Sequence, residues 1–138
     1  MDHGYMHPGL SLGFANINGE NFWHNNRGGL VVSEGFEREP LIKDLSASFD
    51  VKNRYLGKDG KVVCLEIANY ELIKNSDGYL IRMESNFTSD KELVFGVKEE
   101  MGMALRIASP IRVKKGSGSI ASASGGLNEK GTWGKIDK

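Results

Sequence analysis

From Ser46 to Leu56, and again from Tyr79 to Phe87, apolar residues recur at every second position, and that period governs what this chain can fold into. From Ser46 to Leu56 the odd positions Ala47, Phe49, Val51 and Tyr55 alternate with Ser48, Asp50, Lys52 and Arg54. A period of two describes a strand with one face on a core; a helix needs apolar residues three and four apart. No stretch of about ten residues sustains a helical period. The 18 glycines would interrupt one in any case.

Turn chemistry separates the strands. Lys58-Asp59-Gly60-Lys61 holds an Asp-Gly pair, which predicts a type I′ hairpin because both central residues must reach positive φ. A return strand rich in Val and Ile runs from Lys61 to about Lys74. Ser76-Asp77-Gly78-Tyr79 predicts a second turn of the same kind. The strand after it alternates Tyr79, Ile81, Met83 and Phe87 with Arg82, Glu84 and Asn86. Ser89-Asp90-Lys91 is a third turn candidate, and Glu92 to Glu99 reads as another strand. Shorter strands are expected at Leu10 to Ala15, Asn21 to His24 and Leu30 to Phe36, with a turn at Ile17-Asn18-Gly19-Glu20 and Pro40 ending a loop. The segment 116–126, GSGSIASASGG, is a flexible loop or an edge strand whose lack of bulk admits a close backbone or ligand. The fold class expected is all-β: an antiparallel meander forming a β-sandwich, or part of a supersandwich, in a single domain over 1–138.

Charge narrows the partners. Lys+Arg and Asp+Glu both number 18. This balance argues against nucleic acid and against electrostatic attachment to a membrane surface. No apolar run reaches the roughly 20 residues of a membrane helix. Cys64 is the sole cysteine, so no internal disulfide can form, and its setting in KVVCLEI predicts a buried structural thiol.

The residues able to carry chemistry lie toward the two ends. If Val94 to Ala108 is one extended run, Phe95, Val97, Met103, Leu105 and Ile107 form an apolar core face. Glu100 and Arg106 then project from the other face over a floor of glycine and alanine. Such a pair could hold a polyol or an acid by charge-assisted hydrogen bonds, or be a solvated cross-strand salt bridge. His3, His7 and His24 suit proton transfer near neutral pH. No compact ligand pattern argues for a metal, and no phosphate loop or dinucleotide fingerprint occurs, so no cofactor is expected. Asn128-Glu129-Lys130-Gly131-Thr132-Trp133-Gly134 sets amide and carboxylate groups beside an aromatic; Trp133 could stack on a sugar ring or plug the end of a sandwich.

Two blocks carry a family resemblance. His7-Pro8-Gly9-Leu10, then Gly13 to Trp23 (GFANINGENFW), then Gly35-Phe36 form the first. The second is Glu100 to Ile111 (EMGMALRIASPI), then Gly118-Ser119-Ile120 and Asn128 to Gly134. They resemble the PmoA-like family, a domain-of-unknown-function group, whose patterns read H-P-G-L, F-G-D-[IL]-[NS]-G-x-D-[FY]-W and E-M-G-L-x-[IV]-R-[VI]-A-[ST]-P. Where that family has two aspartates, this chain has Asn16 and Asn21. The resemblance implies a sandwich similar to the galactose-mutarotase type, which handles carbohydrates. It also implies extra segments at both ends, so the chain is expected to be a fragment whose unpaired sheet edges are covered in a homo-oligomer.

The expected site follows. Glu100 would act as base or hydroxyl acceptor, His7 as its acid/base partner and Arg106 as an anchor. His3, Asn16, Trp23, Asn128, Glu129 and Trp133 would contact a carbohydrate. The alternative is a non-catalytic binding or assembly module.

Overall fold

The structure is a computed structural model and describes residues 9–24, 28–98 and 101–135. The chain divides into two compact units, one of Leu12–Gly102 and one of Met1–Ser11 with Met103–Lys138. The fold is all-β and antiparallel, as the alternation predicts.

The strands in chain order are β1 (Leu10–Phe14), β2 (Leu30–Lys43), β3 (Ser46–Leu56), β4 (Val62–Asn75), β5 (Gly78–Thr88) and β6 (Met101–Leu105). The sheet of β2-β3-β4-β5 is a simple meander of neighbouring strands, and β1 pairs with β6 in a second, two-stranded sheet. Register sets the faces, because directly opposed residues project to the same side. Tyr55 lies opposite Cys64, Asn53 opposite Glu66, Val51 opposite Ala68 and Phe49 opposite Tyr70. Their continuation on β5 is Phe87, Ser85 and Met83, which completes a largely apolar face.

One end of that face is the core. Ile17, Tyr55 and Cys64 are buried, with Phe14, Phe22, Val63, Phe87 and Leu93 packed against them. Five aromatic rings knit the cluster: Phe14 meets Phe87 at 5.5 Å and Phe95 at 5.1 Å, while Tyr55 meets Phe22 at 5.0 Å. Such edge-to-face pairs each contribute about 0.5–1.5 kcal/mol beyond the area they bury. The turn at Asn18-Gly19 delivers Ile17 into this cluster; Asn18 adopts φ 51° and Gly19 φ 87°, and the amides of Ile17 and Glu20 each donate to the other's carbonyl. Asn18 also ties down the segment after β5, since its Oδ1 accepts from Val94 at 2.7 Å and its Nδ2 donates to Glu92 at 3.0 Å.

Several local expectations are corrected. Asn21 to His24 is no strand: the Asn21 Oδ1 accepts from the amides of Trp23 and His24 at 2.9 and 3.1 Å, which bends the chain away from a ladder. Glu92 to Glu99 makes only one bridge among its described residues, Phe95 to Ile17. Pro40 lies within β2, an edge strand where a missing N–H costs little, and the turn into β3 is Asp44–Leu45. Neither hairpin turn is type I′. In the first, Gly60 alone reaches positive φ (76°), while the Asp59 carboxylate accepts from the Lys61 amide; in the second, Ser76–Asp77 turns without positive φ at either residue. Of the apolar set expected in the core from Val94 to Ala108, Phe95 reaches the aromatic cluster with one side of its ring, whereas Val97, Met103, Leu105 and Ile107 are exposed, Met103 and Leu105 each at 68%. The described part of that run is not one strand, and Gly102, at φ 98°, leaves the extended conformation.

The other unit is mostly irregular, with a 3-10 turn at Ser109–Ile111 and a single helical turn α1 (Asn128–Thr132). The small-residue segment 116–126 is a loop whose glycines admit backbone. A Cβ on Gly118 would stand 1.8 Å from the Ile111 carbonyl, and one on Gly126 would stand 2.4 Å from the Gly131 carbonyl.

Candidate functional site

Of the residues singled out from sequence, His3, His7 and Glu100 lie outside the described residues. Asn16 and Trp23 belong to one unit; Arg106, Asn128, Glu129 and Trp133 belong to the other. Asn16 is committed to local architecture: its Oδ1 accepts from the Gly19 amide at 2.8 Å and its carbonyl from Gly96 at 3.0 Å. Its side-chain amide also occupies the space that a Cβ on Gly96 would take. Trp23 is half-buried and lies so close to Gly13 that a Cβ there would stand 2.5 Å from the indole.

In the other unit, Asn128 clasps Ile120. Its Oδ1 accepts from the Ile120 amide at 3.0 Å and its own amide donates to the Ile120 carbonyl at 2.8 Å. Glu129 is exposed in the first turn of α1, and Trp133, which ends that turn, is 72% exposed. The Arg106 amide donates to the Gly9 carbonyl at 2.8 Å, and the residue is exposed.

A connected row of polar groups lies elsewhere, on the face of the four-stranded sheet opposite the core. Arg38, Asp50, Asn69 and Glu84 are register partners in one row across β2, β3, β4 and β5. Asp50 is buried and ion-paired with Arg38, and the Asn69 Nδ2 donates to its Oδ1 at 2.6 Å. The Asn69 bond, with the Arg38 contact behind it, holds the Asp50 carboxyl below the usual carboxylate range, against the opposing effect of burial. The Asn86 amide, also on β5, extends the chain by donating to Asn69 Oδ1 at 3.3 Å. The neighbouring row contains Leu41, Ser48, Glu71 and Arg82. The polar members of the two rows line a shallow depression of about 270 Å³.

A second cleft, of about 590 Å³, lies at the β3–β4 turn, between Glu20, Asp59, Lys61, Asp90 and Lys91 over a floor that includes Val63 and Cys64. Several of its polar groups already hold the turn together. Glu20 accepts from the Lys58 amide at 3.4 Å, Asp59 pairs with Lys61 at 3.0 Å, and the Ser89 hydroxyl donates to the Val63 carbonyl at 2.8 Å.

The core face holds a buried carboxylate. Glu66, 3% exposed, receives the Tyr55 hydroxyl at 3.1 Å and the Asn53 amide at 2.9 Å, both on Oε2. Burial first and the Glu66 charge second push the Tyr55 phenol well above its ordinary range, so it remains a donor. The same two causes push the Cys64 thiol up to about 11, which suits an inert core residue. Among the described residues, no group of three His, Cys, Asp or Glu could hold a metal ion.

Sequence reasoning passed over the Arg38–Asp50–Asn69–Glu84 row. Its signal was present in the polar parity of β3 and β5, but only the strand register shows that those side chains meet.

A family model matches residues 2–138, and the chain belongs to that family, DUF6807, described as a family of unknown function. No curated protein and no solved structure matches the chain.

Proposed function

We propose that this DUF6807 protein binds a carbohydrate on the polar face of its four-stranded sheet. The observation that carries the reading is the register row Arg38–Asp50–Asn69–Glu84, with Ser48, Glu71 and Arg82 alongside it. Neighbouring sugar hydroxyls are both donors and acceptors. They are matched by carboxylates that only accept, guanidinium groups that only donate and amides that do both. Asp50 and Asn69 are already oriented by each other, so a ligand would not bear the cost of ordering them. Glu71 and Arg82 stand 3.9 Å apart at the rim, too far for a strong mutual bond, and both have capacity for a ligand. The resemblance of the terminal blocks to the PmoA-like family, and through it to mutarotase-type sandwiches, supports sugar as the ligand class.

A glycan array followed by calorimetry on the strongest hit tests this. Glu71→Gln and Arg82→Ala should each weaken binding about tenfold, the scale of one hydrogen bond to a charged group. Exposed Trp133 on α1 favours a second reading, with the sugar stacked on the other unit. If Trp133→Ala abolishes binding while the two sheet variants do not, the site is there. If no glycan binds at about 1 mM, the carbohydrate reading fails and an assembly module is left.

A further inference from the structure

We propose that β5 pairs with β5 of a second copy of this chain, antiparallel and centred on Met83, joining two four-stranded sheets into one. The two edges of the sheet are treated unequally. β2 is blunted by three register shifts, by Pro40 and by a run of charged residues from Glu37 to Glu39. These are the devices that keep an edge from pairing. β5 has none of them. Its register with β4 is unbroken from Thr88 to Gly78, it holds no proline, and Tyr79, Leu80 and Ile81 are all exposed on it. Its outer N–H and C=O groups form a regular template for another strand.

The side chains select a second copy as the occupant and set the register. In a twofold pair about an axis normal to the sheet, opposed residues are symmetric about the central one. With Met83 at the centre, Arg82 lies opposite Glu84 of the partner subunit, and Glu84 lies opposite the partner's Arg82. The pairing therefore forms two opposite-charge pairs on the polar face. On the apolar face, Tyr79 meets the partner's Phe87, and Met83 meets the partner's Met83. Centring one residue earlier or later would instead oppose two arginines or two glutamates, which is destabilising. The formal net charge of zero leaves no overall repulsion between copies.

Sedimentation equilibrium on the full chain, without sugar, tests the pairing separately from the ligand reading. Wild type should sediment at twice 15.2 kDa. Glu84→Arg should raise the dimer dissociation constant about tenfold or more, since it places two pairs of like charges face to face. The double variant R82E/E84R should restore association, because the opposite-charge pairs re-form with their signs exchanged. Circular dichroism checks that each variant keeps its strands. A wild type that is monomeric at about 100 µM overturns the proposal. So does a folded Glu84→Arg with undiminished association, or a folded double variant that is not rescued.

Discussion

Tyr55 and Glu66 are hydrogen-bonded across β3 and β4, phenol to Oε2 at 3.1 Å, within the buried aromatic end of the sheet. A carboxylate there is tolerable only because its donors are fixed in place by neighbouring strands. Tyr55→Phe should destabilise the protein by about 1–3 kcal/mol, the cost of leaving a buried charged acceptor under-satisfied. Urea denaturation reads this directly. An unchanged midpoint would mean that Asn53 or water, not Tyr55, satisfies Glu66.

Asp50 makes stability depend on acid. Its folded-state pKa lies below the ordinary value, so its contribution is complete above the unfolded pKa of about 3.9. That contribution is lost as pH falls through the folded value. Wild type should therefore lose stability from about pH 5 downward more steeply than Asp50→Asn does. Thermal melts at stepped pH compare the two slopes, and parallel slopes would rule out Asp50 as a contributor.

Cys64 should resist thiol reagents. With its thiol pushed up to about 11, only about one molecule in a thousand carries the thiolate at pH 8. Burial at 1% exposure adds a steric barrier. A colorimetric thiol assay should give almost no signal from folded protein and one thiol per chain in denaturant, where all of the chain is accessible. Rapid native labelling would show that the β3–β4 end of the sheet opens readily.

Gly13 makes room for Trp23. A Cβ there would stand 2.5 Å from the indole, so Gly13→Ala must displace the ring. The expected cost is about 1–3 kcal/mol, the range for overpacking. In a Trp133→Phe background the fluorescence reports Trp23 alone, and its emission should shift to the red. Unaltered emission and stability would place the indole away from Gly13.

Much of the sheet was legible because alternation is local. Ala47, Phe49, Val51 and Tyr55 against their polar neighbours predict β3 at its observed bounds, and the patterns of β4 and β5 predict theirs to within a residue or two. The errors fell where a side chain overrides propensity. Asn21 takes two amides into its own turn, and Pro40 is accommodated by an edge position that no local pattern reveals. The candidate site was less legible. Histidines, glycines and tryptophans gather in the terminal blocks, whereas Asp50 and Asn69 look individually like ordinary surface residues.

The sequence by itself determined the period, and with it the all-β class, the order of the strands in the meander and which side chains share a face within each strand. Those properties depend on residues two apart and on short turns. Tertiary structure alone decided what lies opposite what. The length of the turn at 57–61 and the breaks along β2 set the register, and the register brings Arg38 to Asp50, Asp50 to Asn69 and Tyr55 to Cys64. A slip of one residue would exchange the faces and put Asp50 where the aromatic core now lies. The burial of one apolar face against Ile17, Phe14 and Phe22 penalises that slip, and so the core fixes the geometry of the polar row on the opposite face.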